Sequence, residues 1–204
     1  MSVPEIFARV RGDLAACYEQ GKKAVPTMTS GRVTFHAAVD ASGRTTCVVP
    51  SDDLGLTQDV EACMRERLDR ETYRASGSGF STAIPLVVKD GALGLGETRT
   101  TPPAIETIES HGLSEEVYDV VEALLPELYA CMQGLDKSAG LRVVYVGGRV
   151  GKGGQVECAL ASSATAIPED KRACLAGVLS RAKFKAPKKG YGLVSVPLNV
   201  FSRK

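Results

Sequence analysis

The cysteines are the residues of this chain best suited to covalent chemistry, and their spacing occurs twice. Cys47 and Cys63 stand 16 residues apart, Cys158 and Cys174 repeat that interval, and Cys17 and Cys131 lie upstream of their own pairs. A cysteine can act as a nucleophile, a metal ligand or half of a disulfide. The six cysteines form no CxxC and no Cys/His cluster at ligand spacing, so zinc is not expected. A nucleophilic Cys47 or Cys158 would need a base within hydrogen-bond reach. His36 is the candidate in the first copy, but strand alternation places it on the opposite face from Cys47, and the second copy has Tyr145 near that place. No catalytic residue, cofactor or metal is therefore expected.

Other chemistry-bearing groups have simpler explanations. The glycines at Gly147-Gly148 and Gly151 to Gly154 lack the Lys-Ser/Thr ending and following helix of a phosphate loop, and read as turn and bulge residues. Arg181, Lys183, Lys185, Lys188 and Lys189 cluster near the end of an expected helix, where cations are favoured. Asp52-Asp53 and Glu115-Glu116 are expected at helix starts, where negative charge is favoured for the same reason. His111 has no partner in the sequence.

The duplication extends beyond cysteine. Leu68, Tyr73 and Ala75 follow Cys63 at the offsets at which Leu179, Phe184 and Ala186 follow Cys174, and Gly43 precedes Cys47 as Gly154 precedes Cys158. The 204 residues are therefore one small domain written twice. The composition, 44% hydrophobic and 24% charged with net charge +1, is that of a globular chain and gives no electrostatic reason to expect nucleic acid. Residues 1–111 carry a net charge of −3 and residues 112–204 of +4. No apolar run approaches the roughly 18 residues that a membrane helix needs, so no direct membrane insertion is expected. The start lacks the features of a signal peptide. A cytoplasmic location is expected if Met1 is the native start, and a periplasmic or envelope location if an export signal has been removed.

Val3, Ile6, Phe7, Val10, Leu14 and Cys17 mark one stripe of a helix. Val33, Phe35, Ala37 and Val39, a turn at Asp40 to Gly43, then Thr45, Cys47 and Val49 mark a β-hairpin. Pairing Asp40 with Arg44 puts Ala37 opposite Cys47 and Phe35 opposite Val49, and turns Cys47 toward the core. A second helix from about Leu56 to Glu71, with Thr57 as a possible N-cap, buries Val60, Cys63, Met64 and Leu68. Phe80 to Val88 is a last strand. The second copy repeats the order with a helix at Ser114 to Met132, a hairpin at Leu141 to Ala161, a helix at Pro168 to Lys183 and a strand at Leu193 to Phe201. Phe35, Cys47, Val146 and Cys158 are expected on helix-covered sheet faces.

The fold class is α+β: two tandem αββαβ domains, 1–90 and 113–204, joined by a linker at 91–112 that includes Thr100 to Pro103. Pro85 and Pro197 fall inside the last strands and point to a sheet edge there. A right-handed crossover then gives a three-stranded antiparallel sheet in the order 2-1-3, with both helices on one face and strand two at the other edge. Cys17 and Cys63 both lie on buried helical stripes, so a Cys17–Cys63 bridge and its equivalent Cys131–Cys174 are disulfide candidates that would stay unbonded in a reducing compartment. Cys47 and Cys158 are expected to remain buried thiols.

This unit resembles the C-terminal domain of the TonB family, and in particular its AgmX/PglI type from gliding bacteria. The resemblance rests on Cys17-Tyr18-Glu19, Pro26, Gly31-Arg32-Val33, Phe35, Asp40 with Ser42-Gly43, Val60 and Cys63, Tyr73, and Pro85. It covers nearly all of the first copy and, more faintly, the second, which has Cys131-Met132-Gln133 in place of Cys-Tyr-Glu. Cys47 and Cys158 are additional to the family's two cysteines, and no TonB-like anchor or Pro-rich spacer is present in the sequence. The resemblance implies an envelope or motility-associated setting.

The expected function is non-enzymatic protein binding or scaffolding through sheet edges or domain surfaces, with a protein partner and no nucleic acid. Arg44, Thr46, Val48, Gln155, Glu157 and Ala159 on the two second strands are the candidate partner edge. These edges are expected to pair with each other in one sheet or to accept a partner's strand. The alternative is a thiol-based redox or metal-handling protein that uses the repeated cysteines.

Overall fold

The computed structural model describes the chain except for residues 1–2, 76, 98–107, 136–142, 189 and 201–204. The run Thr100 to Pro103, the expected strand start at Leu141, Lys189 and the expected strand end at Phe201 thus lie outside the described residues. The chain divides into two compact units, Met1–Thr98 and Arg99–Lys204. Each is a mixed α+β unit with two helices and a four-stranded antiparallel sheet.

In the first unit α1 (Val3–Ala24) turns Ile6, Phe7, Val10, Leu14, Cys17 and Tyr18 inward. Glu5 in its first turn and Lys22 and Lys23 in its last complement the helix dipole. Its Tyr18 hydroxyl donates to the Met28 carbonyl at 2.6 Å, fixing the path from helix to sheet. The strands are β1 (Gly31–Val39) and β2 (Thr45–Leu54), then β3 (Phe80–Lys89) and β4 (Ala92–Leu95), with α2 (Gln58–Asp69) between β2 and β3. Val33, Phe35, Ala37 and Val39 of β1, Val48 of β2, and Ile84, Leu86 and Val88 of β3 meet the buried stripes of α1 and α2. Thr57 stands at the N-cap position of α2, but its side chain makes no capping hydrogen bond.

The second unit contains β5 (Glu109–His111), α3 (Val117–Cys131), β6 (Val143–Val150), β7 (Val156–Ser162), α4 (Glu169–Ser180) and β8 (Gly192–Asn199). Its core joins Val144, Val146 and Val150 of β6, and Val194, Val196 and Leu198 of β8, to Val121 and Leu128 of α3 and Leu175 and Leu179 of α4.

The strand orders are β2-β1-β3-β4 and β5-β8-β6-β7. The expectation of three strands is therefore corrected to four, because the segment read as a linker supplies one short strand to each sheet. The expectation that Pro85 and Pro197 mark sheet edges is corrected too, since β3 and β8 are inner strands covered by β4 and β5. Gly96 N–H donates to the Pro85 carbonyl at 3.0 Å, so the peptide positions of Pro85 face β4, and the β3–β4 ladder runs only from Leu86 to Lys89. In the second sheet β5 pairs with Leu193 to Ser195 and stops before Pro197. Each proline lies beyond the added strand, where the ladder asks for no N–H.

Both hairpins contain a β-bulge beside the turn. Val39 opposes Thr45 while Ala38 opposes Cys47, and Val150 opposes Val156 while Arg149 opposes Cys158. The extra residue, Thr46 or Glu157, reverses the parity of everything after it. Ala37 therefore faces Val48 rather than Cys47, and Phe35 faces Pro50 rather than Val49. Phe35 and Val146 occupy the helix-covered faces as expected, whereas Cys47 and Cys158 lie on the opposite faces of their sheets.

Candidate functional site

The cysteines form the first site to consider. Cys17 bonds Cys63 with a Cα separation of 5.7 Å, and Cys131 bonds Cys174 at the same separation. Each bond ties the first helix of a unit to the second. Cys47 and Cys158 are also disulfide-bonded, and no free cysteine exists. This corrects the expectation that these two remain thiols.

The bulge changes the position of His36 as well. His36 opposes Val49 and Ala38 opposes Cys47, so imidazole and sulfur share one face of the sheet instead of lying on opposite faces. They form no catalytic dyad, since the sulfur is bonded and His36 Nε2 lies 2.6 Å from Ser51 Oγ, both residues being buried. Burial pushes the His36 pKa down to about 3, keeping the ring neutral.

The turn before each bulge is built around a left-handed glycine. Gly43 has φ +90° and Gly154 φ +82°. The Gly43 carbonyl accepts from Tyr73 N–H at 2.6 Å, and the Gly154 carbonyl from Phe184 N–H at 2.8 Å. A Cβ on Gly43 would lie 2.1 Å from the Tyr73 oxygen, and one on Gly154 2.0 Å from the Phe184 oxygen. The repeated glycine and aromatic are therefore two ends of one contact, which locks the segment after the second helix onto the hairpin turn. In the first unit Asp40 Oδ1 also accepts from Ser42 Oγ at 2.6 Å and from Arg44 N–H at 3.0 Å. These bonds hold its carboxyl below the usual carboxylate range.

The candidate partner edge divides sharply. Arg44 forms a bridge with Thr72, and Gln155 with Lys183, so the start of each second strand is already paired within its own unit. Thr45 N–H donates to the Glu71 carbonyl at 3.4 Å. Thr46 is the bulged residue, and its hydroxyl donates to the Ala38 carbonyl at 3.2 Å. The Asp40 N–H to Arg44 carbonyl bond fixes which residues of β1 face β2, and alternation then turns the peptides of Val48 and Pro50 outward. Val48 is nevertheless 0% exposed, and Pro50 has no N–H to offer. A second irregularity near Asp52, at φ +52°, ends the regular edge. The strand-two edge of the first unit is thus closed.

In the second unit the Gly151 N–H to Gln155 carbonyl bond gives the same phase, and the Ala159 peptide points away from β6. Ala159 is part-exposed, and β7 contains no proline. Glu157 is exposed and pairs with Arg149 at 3.3 Å. β2 and β7 are the terminal strands of their own sheets.

Of the basic cluster, Arg181 and Lys185 have partners on α3 and at the residue before it. Arg181 pairs with Glu127 at 2.7 Å, and Lys185 with Glu116 at 3.0 Å, all four being well exposed. Between α3 and α4 runs a groove of about 520 Å³ whose lining includes Cys131 and Cys174, a feature that sequence reasoning missed because it depends on how two helices pack. Among the described residues no helix is long and apolar enough to cross a membrane. Comparison with known proteins finds no family model, no curated protein and no solved structure that matches this chain.

Proposed function

We propose that this chain is a non-enzymatic protein-binding or scaffold protein of two TonB C-terminal-like units, which captures an extended segment of a partner on the edge of β7. The observation that carries this reading is the difference between the two terminal strands. Val48 and Pro50 close the edge of β2, while Ala159 presents an outward peptide with partial exposure. Strand addition draws its affinity from backbone hydrogen bonds and needs an accessible edge of this kind. The disulfide-bonded state of all six cysteines fits an oxidising compartment such as the periplasm, and leaves no thiolate for metal handling. A place in a bacterial envelope or motility-associated assembly follows from the resemblance of the first repeat to the AgmX/PglI type.

The experiment installs a photoreactive amino acid in place of Glu157 in the full chain, with a second copy of the probe at exposed Tyr118 as control. A discrete partner adduct at position 157, absent at 118 and lost when Ala159→Pro is added, is the expected outcome. The same adducts at both positions, or an adduct that survives Ala159→Pro in a chain that still folds, would refute the edge reading.

A further inference from the structure

The two helix-tying disulfides are close to a matched pair. Their Cα separations are both 5.7 Å, and they close loops of 46 and 43 residues. Chain entropy therefore constrains both almost equally. Their surroundings differ. Cys17 is 3% exposed and Cys63 is partly buried against the core of its unit. Cys131 is 5% exposed, but Cys174 is an exposed residue, and both line the groove between α3 and α4.

We propose that the Cys131–Cys174 disulfide is a thiol-exchange site for small thiols, while Cys17–Cys63 is a permanent structural tie. Exchange requires a thiolate to reach one sulfur of the bond, so access decides which of two otherwise similar disulfides reacts. The open groove leads to Cys174. A small thiol loses its proton to solvent, and its thiolate sulfur bonds to Cys174 Sγ while the S–S bond breaks and its electron pair passes to Cys131 Sγ. Cys131 then takes up a proton. A second molecule of the same thiol attacks the mixed disulfide, releasing the oxidised small-molecule disulfide and leaving two protein thiols, a net two-electron reduction. The groove lining carries Glu127 and Asp170 as well as Lys171 and Arg181, and Arg181 is paired with Glu127, so access rather than local charge selects this bond. Reduction unties α4 from α3 in the second unit and leaves the first unit tied. This inference is independent of the β7 edge reading.

The test exposes the full native chain to reduced glutathione, quenches it with acid at intervals, alkylates new thiols and locates them by peptide mass mapping. A glutathione adduct on Cys174 and a new thiol on Cys131 are expected about tenfold or more ahead of any change at Cys17 or Cys63. In guanidinium the ratio of rates is expected to fall to about one, because access is then equal. Equal rates in the native chain would overturn the proposal, as would earlier reaction at Cys17–Cys63, an adduct confined to Cys131, or a ratio that persists after unfolding.

Discussion

Burial of His36 makes the first unit acid-labile by an amount that can be calculated. Its pKa is about 3 in the folded chain against 6.5 for the unperturbed ring. The folded value is depressed, so the unfolded chain binds more protons between these limits. The stabilising effect of the neutral ring is complete above about pH 6.5 and is lost progressively as the pH falls toward 3. Between pH 7 and pH 4.5 the loss amounts to roughly 2 to 3 kcal/mol, at 1.36 kcal/mol per pH unit through most of the interval. The cause is desolvation of the charged form, since His36 is 2% exposed and Ser51, bonded to its Nε2, is 0% exposed.

The assay is urea unfolding of the parent chain and of His36→Gln at several pH values, with all disulfides intact. Carboxylates also titrate in this range, so the informative quantity is the difference in stability between the two chains. With a urea slope of roughly 1–3 kcal/mol/M, their midpoints should converge by about 1 M or more between pH 7 and pH 4.5. A difference that stays constant over that range would show that His36 is solvated or paired with a compensating charge when it protonates, and the desolvation argument would fail.

Two further predictions test the turns and the ties. Gly43→Ala should cost more than about 2 kcal/mol, because it adds a left-handed penalty to a clash with the Tyr73 carbonyl, whereas Gly12→Ala on α1, with no atom within 4 Å of the new Cβ, should stabilise by about 0.5–1 kcal/mol. Opposite signs in thermal melts of the two variants support this account, and matching signs refute it. Replacing Cys17 and Cys63 together by serine opens a 46-residue loop and should cost about 4 kcal/mol in the chain-entropy model, read as a lowered denaturant midpoint. A loss below about 1 kcal/mol would mean that helix packing alone holds α1 against α2.

Much of this architecture was legible because two independent signals agreed in both halves. Helical stripes located α1 and α2, and the repeated glycine and aromatic marked a contact whose geometry is now visible at Gly43 with Tyr73 and at Gly154 with Phe184. β4 and β5 were not legible. Four and three residues long, they have no periodicity of their own, and their conformation comes from the strands they pair with. The face of Cys47 was misread for a different reason. Cys47, Val48 and Val49 are each at most 1% exposed, so β2 is apolar on both faces and alternation carries no information about which face is which.

A bulge then decides the face, and nothing in the hydrophobic pattern announces a bulge. Its presence at Thr46 and again at Glu157 makes it part of the duplicated unit rather than an accident of one copy. The consequence reaches the cysteine frame from which the sequence reading began. Without the bulge, Cys47 would turn to the sheet face that α1 and α2 cover, the side on which Cys17 and Cys63 are bonded. With it, the sheet stands between Cys47 and that pair, as β6 and β7 stand between Cys158 and the pair formed by Cys131 and Cys174. The bulge in each hairpin therefore leaves the helix-tying bond of each unit without a third cysteine on its side of the sheet.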